Sequence, residues 1–235
     1  MTIRDFYTVI KERRSIYGIK NESPISDEKI QEIVEFAVMH APSAFNSQNT
    51  RAVLLLGEQS NQFWDITKET LRKIVPADAF SDTEAKMEMF KAGYGTVLFF
   101  EDMDIVKGLQ EQFPTYADKF PIYSTQTLGS IQFIVWAALE AEGFGATLQH
   151  YQPLVDDEVK AKWNIPDSRK LAAQMPVGVP AALGGEVVVS APDAAGVIGR
   201  VPPEPQVPQL RGGAALPRQG HAGEGRLDAG APGHD

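Results

Sequence analysis

The chain has 235 residues, a formal net charge of −9 and no cysteine. This length allows one substantial core, the lack of cysteine excludes disulfides, thiolate metal sites and thiol nucleophiles, and the acidic balance argues against generic nucleic-acid binding. No apolar run predicts a membrane span, and the N-terminus lacks the pattern of a signal peptide. We therefore expect a cytoplasmic protein that binds neither nucleic acid nor membrane.

The first predicted element is a helix over residues 2–14, with Phe6, Val9 and Ile10 on one face. The sequence Arg13-Arg14-Ser15 ends this helix and offers a dense set of hydrogen-bond donors. Arginine matches phosphate oxygens in bidentate fashion. A solvated helix end, where Arg interacts favourably with the helix dipole, explains the same residues.

A second helix follows, for which Ser26 has the character of an N-cap. Five apolar residues at helical spacing give it a buried stripe: Ile30, Ile33, Val34, Ala37 and Val38. The helix ends by Pro42. The next residues, 43–49, are rich in short amides and hydroxyls, which can read the edge of a heterocycle; a turn with local side-chain hydrogen bonds is the alternative. The apolar run 52–56 predicts a strand buried on both faces.

Five further elements follow in the folded part, together with one long apolar helix over 124–142. They are helices at Trp64–Ile74, Asp82–Ala92 and Asp156–Trp163, a buried strand at Thr96–Phe100, and an extended segment at Ala172–Val179. The helix 124–142 is apolar on nearly all sides, so it must lie in the core or against a second subunit. The pattern predicts an α+β fold with helices around a modest central sheet.

The segment 143–151 begins with Gly143-Phe144-Gly145, whose glycines allow backbone to approach a ligand closely. A plain helix stop and turn explains these residues equally well. Histidine occurs at only four positions, two of them after residue 182. These are few side chains from which to build a His-rich metal site or a His-based catalytic triad. We expect no metal site.

The composition changes near residue 182. Residues 183–235 hold 11 of the 20 glycines and 7 of the 16 prolines, with no Lys, Phe, Trp or Tyr. Such a segment cannot bury enough apolar surface to offset its ordering entropy. We therefore predict one folded domain over 1–182 and a disordered or loosely packed tail over 183–235. The tail's composition is also compatible with a shifted reading frame.

The order of four sequence blocks resembles the nitroreductase superfamily over residues 1 to about 182. The blocks are Arg13–Tyr17, His40–Gln48, Ala92–Asp102 and Leu148–Tyr151, and in detail they are similar to the fatty-acid-repression-type or copper-induced nitroreductases. The resemblance implies the nitroreductase fold, in which helices surround a mostly antiparallel sheet. It also implies an intertwined homodimer with one FMN at each subunit interface.

By this resemblance the cofactor-binding residues are Arg13, Arg14, Ser15, Ser43, Asn46, Gln48, Gln149, His150 and Tyr151. Arg13 and Ser15 would contact the phosphate and ribityl chain, Ser43 would come from the partner subunit, and the segment 149–151 would lie beside the flavin ring. No catalytic side chain is implied, because the flavin itself performs the hydride chemistry.

The implied function is an NAD(P)H-dependent oxidoreductase in which NADH or NADPH reduces FMN and a small nitroaromatic or quinone then reoxidises it in a ping-pong cycle. The family's usual basic C-terminal segment is missing here, since no Lys follows residue 182. Losing one charge-assisted hydrogen bond of roughly 1.5–3 kcal/mol weakens FMN binding at least about tenfold. A non-catalytic flavin-binding or regulatory protein of the same fold is therefore the first alternative, and a plain structural or interaction domain is the second.

Overall fold

The computed structural model describes residues 4–182, and the tail predicted for 183–235 lies outside the described residues. Seven α-helices in this part surround a five-stranded sheet. The helices are α1 (Phe6–Glu12), α2 (Asp27–His40), α3 (Glu58–Arg72), α4 (Phe80–Lys91), α5 (Met103–Gln112), α6 (Phe120–Ala141) and α7 (Asp156–Trp163). The strands are β1 (Ile19–Lys20), β2 (Thr50–Leu56), β3 (Gly95–Asp102), β4 (Gly145–Ala146) and β5 (Arg169–Pro180). The α+β prediction is confirmed.

The strand order is β1-β5-β3-β2, with β4 also paired to β5, and all of these strand pairs are antiparallel. Gly95 of β3 lies opposite Leu56 of β2 and Val177 of β5, and the short strands β1 and β4 attach at this end. At the other end of β3, Glu101 lies opposite Thr50. The sheet therefore has two distinct ends, and each carries part of the candidate site.

The centre of the core is β3, which is buried on both faces as predicted from its apolar run. Val97 and Phe99 pack with α2 and α6, whereas Leu98 and Phe100 pack with α3, α4 and α7. Successive strand residues point to opposite faces, so one strand fills two hydrophobic clusters. The same prediction for 52–56 was wrong: most of β2 is only half-buried, because β2 is the edge strand of the described sheet.

The helix α2 agrees with its prediction. The Ser26 hydroxyl accepts the Lys29 N–H at 3.3 Å, and Ile30, Val34 and Ala37 are buried. Asp27 in the first turn also interacts favourably with the positive end of the helix dipole.

The helix α1 is shorter than predicted. The Asp5 carboxylate accepts the N–H groups of Tyr7 and Thr8, both at 3.1 Å, so the helix begins at Phe6 and ends before Arg13. Val9 is its buried residue, whereas Phe6 is 65% exposed. Phe6 therefore lies outside the core, because a seven-residue helix brings only its inner side against α6.

The long helix α6 spans 22 residues, or roughly 33 Å at 1.5 Å per residue. Leu128, Val135 and Leu139 on one side lie in the core. Ile122 and Phe133 on another side are 51% and 39% exposed in the single chain. Among the helices of residues 4–182, none combines the length and apolar character that crossing a membrane requires.

Candidate functional site

The segment that follows α1 is joined to the sheet through β4. The Ile16 N–H donates to the Ala146 carbonyl at 3.0 Å, and Ser15 forms a parallel bridge with Ala146. Gly145 makes this close approach possible, because a Cβ there would lie 3.0 Å from the Cγ2 atom of Ile16. Residues 13–17 and 145–151 thus form one structural unit, the arginine end.

Two cations in the arginine end have no acidic partner among the described residues. The Arg13 guanidinium carbon lies 4.2 Å from the Trp136 ring centroid, a cation–π arrangement. Its Nε is buried without a hydrogen-bond partner. Arg14 donates to the main-chain carbonyls of Lys11 and Arg13, at 2.5 and 2.7 Å. Uncompensated guanidinium groups of this kind suit a bound anion.

The carboxylate of Glu140 lies near these cations but pairs with Arg4, at 3.3 Å. Burial raises the pKa of Glu140 above its ordinary value, and the positive charge of Arg4 opposes that shift most strongly. Arg13 makes a smaller contribution in the same direction as Arg4. The local acid is therefore already engaged by another arginine.

The main chain of the segment 149–151 is held mostly by hydrogen bonds to Gln174. Gln149 and Gln174 exchange backbone hydrogen bonds at 2.7 and 2.9 Å, and the Tyr151 N–H donates to the Gln174 side-chain oxygen at 2.8 Å. The His150 N–H has no hydrogen-bond partner among the described residues. His150 therefore has the one backbone donor of this trio that is available to a ligand.

The phenol of Tyr151 lies edge-on to Trp64, with ring centroids 6.0 Å apart. Burial, with a smaller contribution from Tyr17, raises the pKa of Tyr151 to about 12. The phenol therefore stays neutral at physiological pH and can donate or accept a hydrogen bond. Tyr17 belongs to the first of the four sequence blocks, Arg13–Tyr17, but was not predicted as a site residue.

The predicted residues Ser43, Asn46 and Gln48 lie in a second unit, the amide loop, which comprises residues 43–49. The Ser43 hydroxyl accepts the Gln48 N–H at 3.1 Å, and the Gln48 side-chain amide donates to Asn46 at 3.0 Å. Phe45, Asn46 and Gln48 have φ values of 57°, 50° and 47°. Such left-handed conformations cost non-glycine residues roughly 1 kcal/mol or more each, so the surroundings must hold them.

The amide loop is anchored by an aromatic contact. The Phe45 ring packs against Phe113, Phe120 and Tyr116, with centroids 5.0, 5.1 and 5.8 Å away. These contacts have no signal in the sequence, because Phe45 and its partners are far apart along the chain.

One chain does not bring the two units into a single cluster. Asn49, at the end of the amide loop, contacts Ser124, whereas Arg13 of the arginine end contacts Trp136. Both contact points lie on α6. Twelve residues separate them, or roughly 18 Å along the helix axis. Within residues 4–182, no cluster of three or more His, Asp or Glu side chains is arranged to hold a metal ion.

The family model for the nitroreductase family matches residues 10–179, so the chain belongs to the nitroreductase family. The HBN1 protein of Saccharomyces cerevisiae is 37% identical over 186 residues, which covers 78% of this chain and 92% of HBN1. The nitroreductase FRM2 of the same yeast is 33% identical over 187 residues, covering 77% of this chain and 91% of FRM2.

Solved structures agree with the fold. The nitroreductase CinD from Lactococcus lactis, solved with chloramphenicol, has a TM-score of 0.75 and 40% identity over 83% of this chain and 99% of CinD. The same protein with 4-nitrophenol has a TM-score of 0.74 and 41% identity, with the same coverage. An FMN-bound family structure from Desulfovibrio desulfuricans is 18% identical, with a TM-score of 0.60 over 82% of this chain and 96% of its own, and supports the fold alone.

Proposed function

We propose that the protein is an FMN-dependent oxidoreductase that oxidises NADH or NADPH and reduces small nitroaromatics or quinones. The observation that carries this proposal is the Arg13 guanidinium, held over Trp136 with a buried Nε and no acidic partner in residues 4–182. A phosphate group would satisfy this donor with charge-assisted hydrogen bonds. The composition of the arginine end therefore fits FMN.

The residues of the arginine end have separate tasks in this proposal. Arg13 and Ser15 bind the phosphate and ribityl chain, and Arg14 lies near the ring. The unpaired His150 N–H donates to an acceptor atom at the ring edge, because its neighbours Gln149 and Tyr151 already use theirs. A donor fixed in the main chain stabilises negative charge on the ring without needing to reorganise.

Bound FMN would supply the hydride chemistry, taking two electrons from the nicotinamide and giving them to the acceptor. The protein then needs neither a nucleophile nor a general base, which agrees with the absence of Cys and the few His residues. Support for aromatic acceptors comes from CinD, which was solved with chloramphenicol, 4-nitrophenol and nicotinic acid.

The proposed active form is a homodimer in which the amide loop of one copy faces the arginine end of the other. The two units lie apart on α6 in one chain, so a second copy would complete the set of predicted residues. Apolar side chains exposed on α2 and α6 supply surface for that contact: Phe36, Met39, Ile122 and Phe133.

The test uses the purified full-length protein incubated with FMN and then freed of excess cofactor. We expect flavin absorbance that bleaches anaerobically with NADH or NADPH and returns when 4-nitrophenol or a quinone is added. Steady-state kinetics with both substrates should give the parallel double-reciprocal lines of a ping-pong cycle. Failure to take up added FMN would refute the proposal, and tight FMN binding without NAD(P)H oxidation would favour a non-catalytic flavin-binding protein.

A further inference from the structure

A buried carboxylate lies outside both predicted units. Glu101, near the end of β3, is 6% exposed and forms no ion pair with any Lys or Arg of the described residues. Its Oε1 accepts the Ser124 hydroxyl at 2.5 Å and the Thr125 hydroxyl at 3.4 Å. A buried carboxyl group must be satisfied by hydrogen bonds, and for Glu101 the donors come from α6.

The hydrogen bonds continue from Ser124 into the amide loop. The Asn49 side-chain amide donates to the Ser124 oxygen at 2.5 Å, and the Ser47 hydroxyl donates to the Asn49 oxygen at 3.0 Å. The three bonds run in one direction: Ser47 donates to Asn49, Asn49 donates to Ser124, and Ser124 donates to Glu101. Glu101 therefore accepts at the end of a series of donors that begins in the amide loop.

Asn49 is fixed on a second side as well. Its side chain and main chain are 1% exposed, and its carbonyl accepts the Asp102 N–H at 2.8 Å. Asn49 thus ties the amide loop to the end of β3 and to α6 at once. The loop's left-handed residues, Phe45, Asn46 and Gln48, directly precede this tie. Strained backbone of this kind persists only where several surrounding contacts hold it in place.

We propose that Glu101 is a positioning residue that acts through Ser124 and Asn49 to hold the amide loop in the conformation that presents Ser43, Asn46 and Gln48. The expected effect of Glu101 on FMN binding rests on the proposed function. Its expected effect on the conformation of the amide loop does not, so separate measurements can contradict each of them.

The first experiment measures hydrogen exchange at the amides of residues 44–49 in the full-length protein without FMN. Ser124→Ala and Glu101→Leu each break the series of hydrogen bonds between Glu101 and the amide loop. We therefore expect the hydrogen-exchange rate of these amides to rise about tenfold or more. Glu101→Gln should have a smaller effect, because its side-chain oxygen still accepts from Ser124. This variant also serves if Glu101→Leu does not fold.

The matched control is Thr96→Val. Thr96 lies on the same strand, is fully buried, accepts the Trp64 indole N–H at 2.9 Å and bonds Ser60 at 2.8 Å. It belongs to a comparable network at the opposite end of β3. This substitution should lower the melting temperature without changing exchange in the amide loop.

The second experiment measures the Kd for FMN in the same variants by fluorescence titration. We expect the Kd to increase in the order Glu101→Gln, then Ser124→Ala and Glu101→Leu, with Thr96→Val unchanged. Loop exchange in Ser124→Ala that equals that of Thr96→Val overturns the positioning role. If the wild-type protein takes up no FMN, the proposed function fails, while the exchange data still decide the role of Glu101.

Discussion

The arginine end and the amide loop lie near opposite ends of α6 and are held in different ways. Main-chain hydrogen bonds join the arginine end to the sheet, as between Ile16 and Ala146. Side-chain hydrogen bonds and left-handed residues hold the amide loop, as at Asn49 and Gln48. The arginine end should therefore be sensitive to atoms added near its backbone, and the amide loop to the loss of particular side chains.

The largest expected effect is at Gly178, which supports the arginine end by pairing with Gly145. A Cβ at Gly178 would lie 2.3 Å from the Lys20 carbonyl oxygen, so main chain must shift. Gly178→Ala should lower the free energy of unfolding by about 3 kcal/mol, measured by urea denaturation. Gly108→Ala is the matched control, since its Cβ meets nothing within 4 Å. Equal stability of the two variants would show that the close approach is not needed.

The next effect is on binding at the arginine end. Arg13→Met keeps an apolar stem over Trp136 but removes the unpaired guanidinium, so the Kd for FMN should rise by roughly ten- to a hundredfold. Lys11→Met, at an exposed cation two residues before Arg13, controls for the loss of general positive charge. An unchanged Kd in Arg13→Met would contradict the assignment of Arg13 to the phosphate.

A smaller effect concerns alkaline pH and Tyr151. The raised pKa of about 12, against an ordinary 10.0, means that the folded state holds the phenol proton more tightly than the unfolded state. This contribution is fully present below about pH 10 and is lost as pH rises toward about 12. Tyr151→Phe should therefore flatten the fall in melting temperature over that window. Tyr116→Phe, at a more exposed tyrosine, should not, and identical pH profiles for the wild type and Tyr151→Phe would refute the prediction.

The smallest effect tests backbone strain in the amide loop. Gln48 has a φ of 47°, which glycine adopts without a steric penalty, so Gln48→Gly should exceed Gln48→Ala in stability by up to about 1 kcal/mol. Both variants lose the same hydrogen bond to Asn46, so the difference isolates the backbone. Thermal denaturation measures it, and equal melting temperatures would mean that the loop stores no strain at this position.

The sequence predicted the elements whose burial follows a simple local pattern. The run at 96–100 gave the central strand, and Ser26 with its apolar stripe gave α2, because period and capping are local properties. The edge position of β2 could not be read from its apolar run, which does not reveal whether a strand lies on each side. The strands β1 and β4 have two residues each, which is too short to show the alternation of apolar and polar residues that marks a strand.

The candidate residues were predicted from their order along the chain, but their neighbours were not. Trp136 under Arg13 and Ser124 beside Asn49 depend on contacts across 75 residues or more, which no local spacing encodes. A signal for Glu101 was present nonetheless: it is the first acid after the apolar run Val97–Phe100. Such a residue must find donors when buried, and that requirement could have marked it.

Because α6 is unbroken between Ser124 and Trp136, it fixes both the distance and the angle between these two residues. Each residue of an α-helix advances the axis by about 1.5 Å and turns it by roughly 100°. Inserting one residue between these positions would swing Trp136 away from Arg13, even if every side chain were conserved in type. The length of this stretch is therefore as important to the two contacts as the identity of its buried side chains.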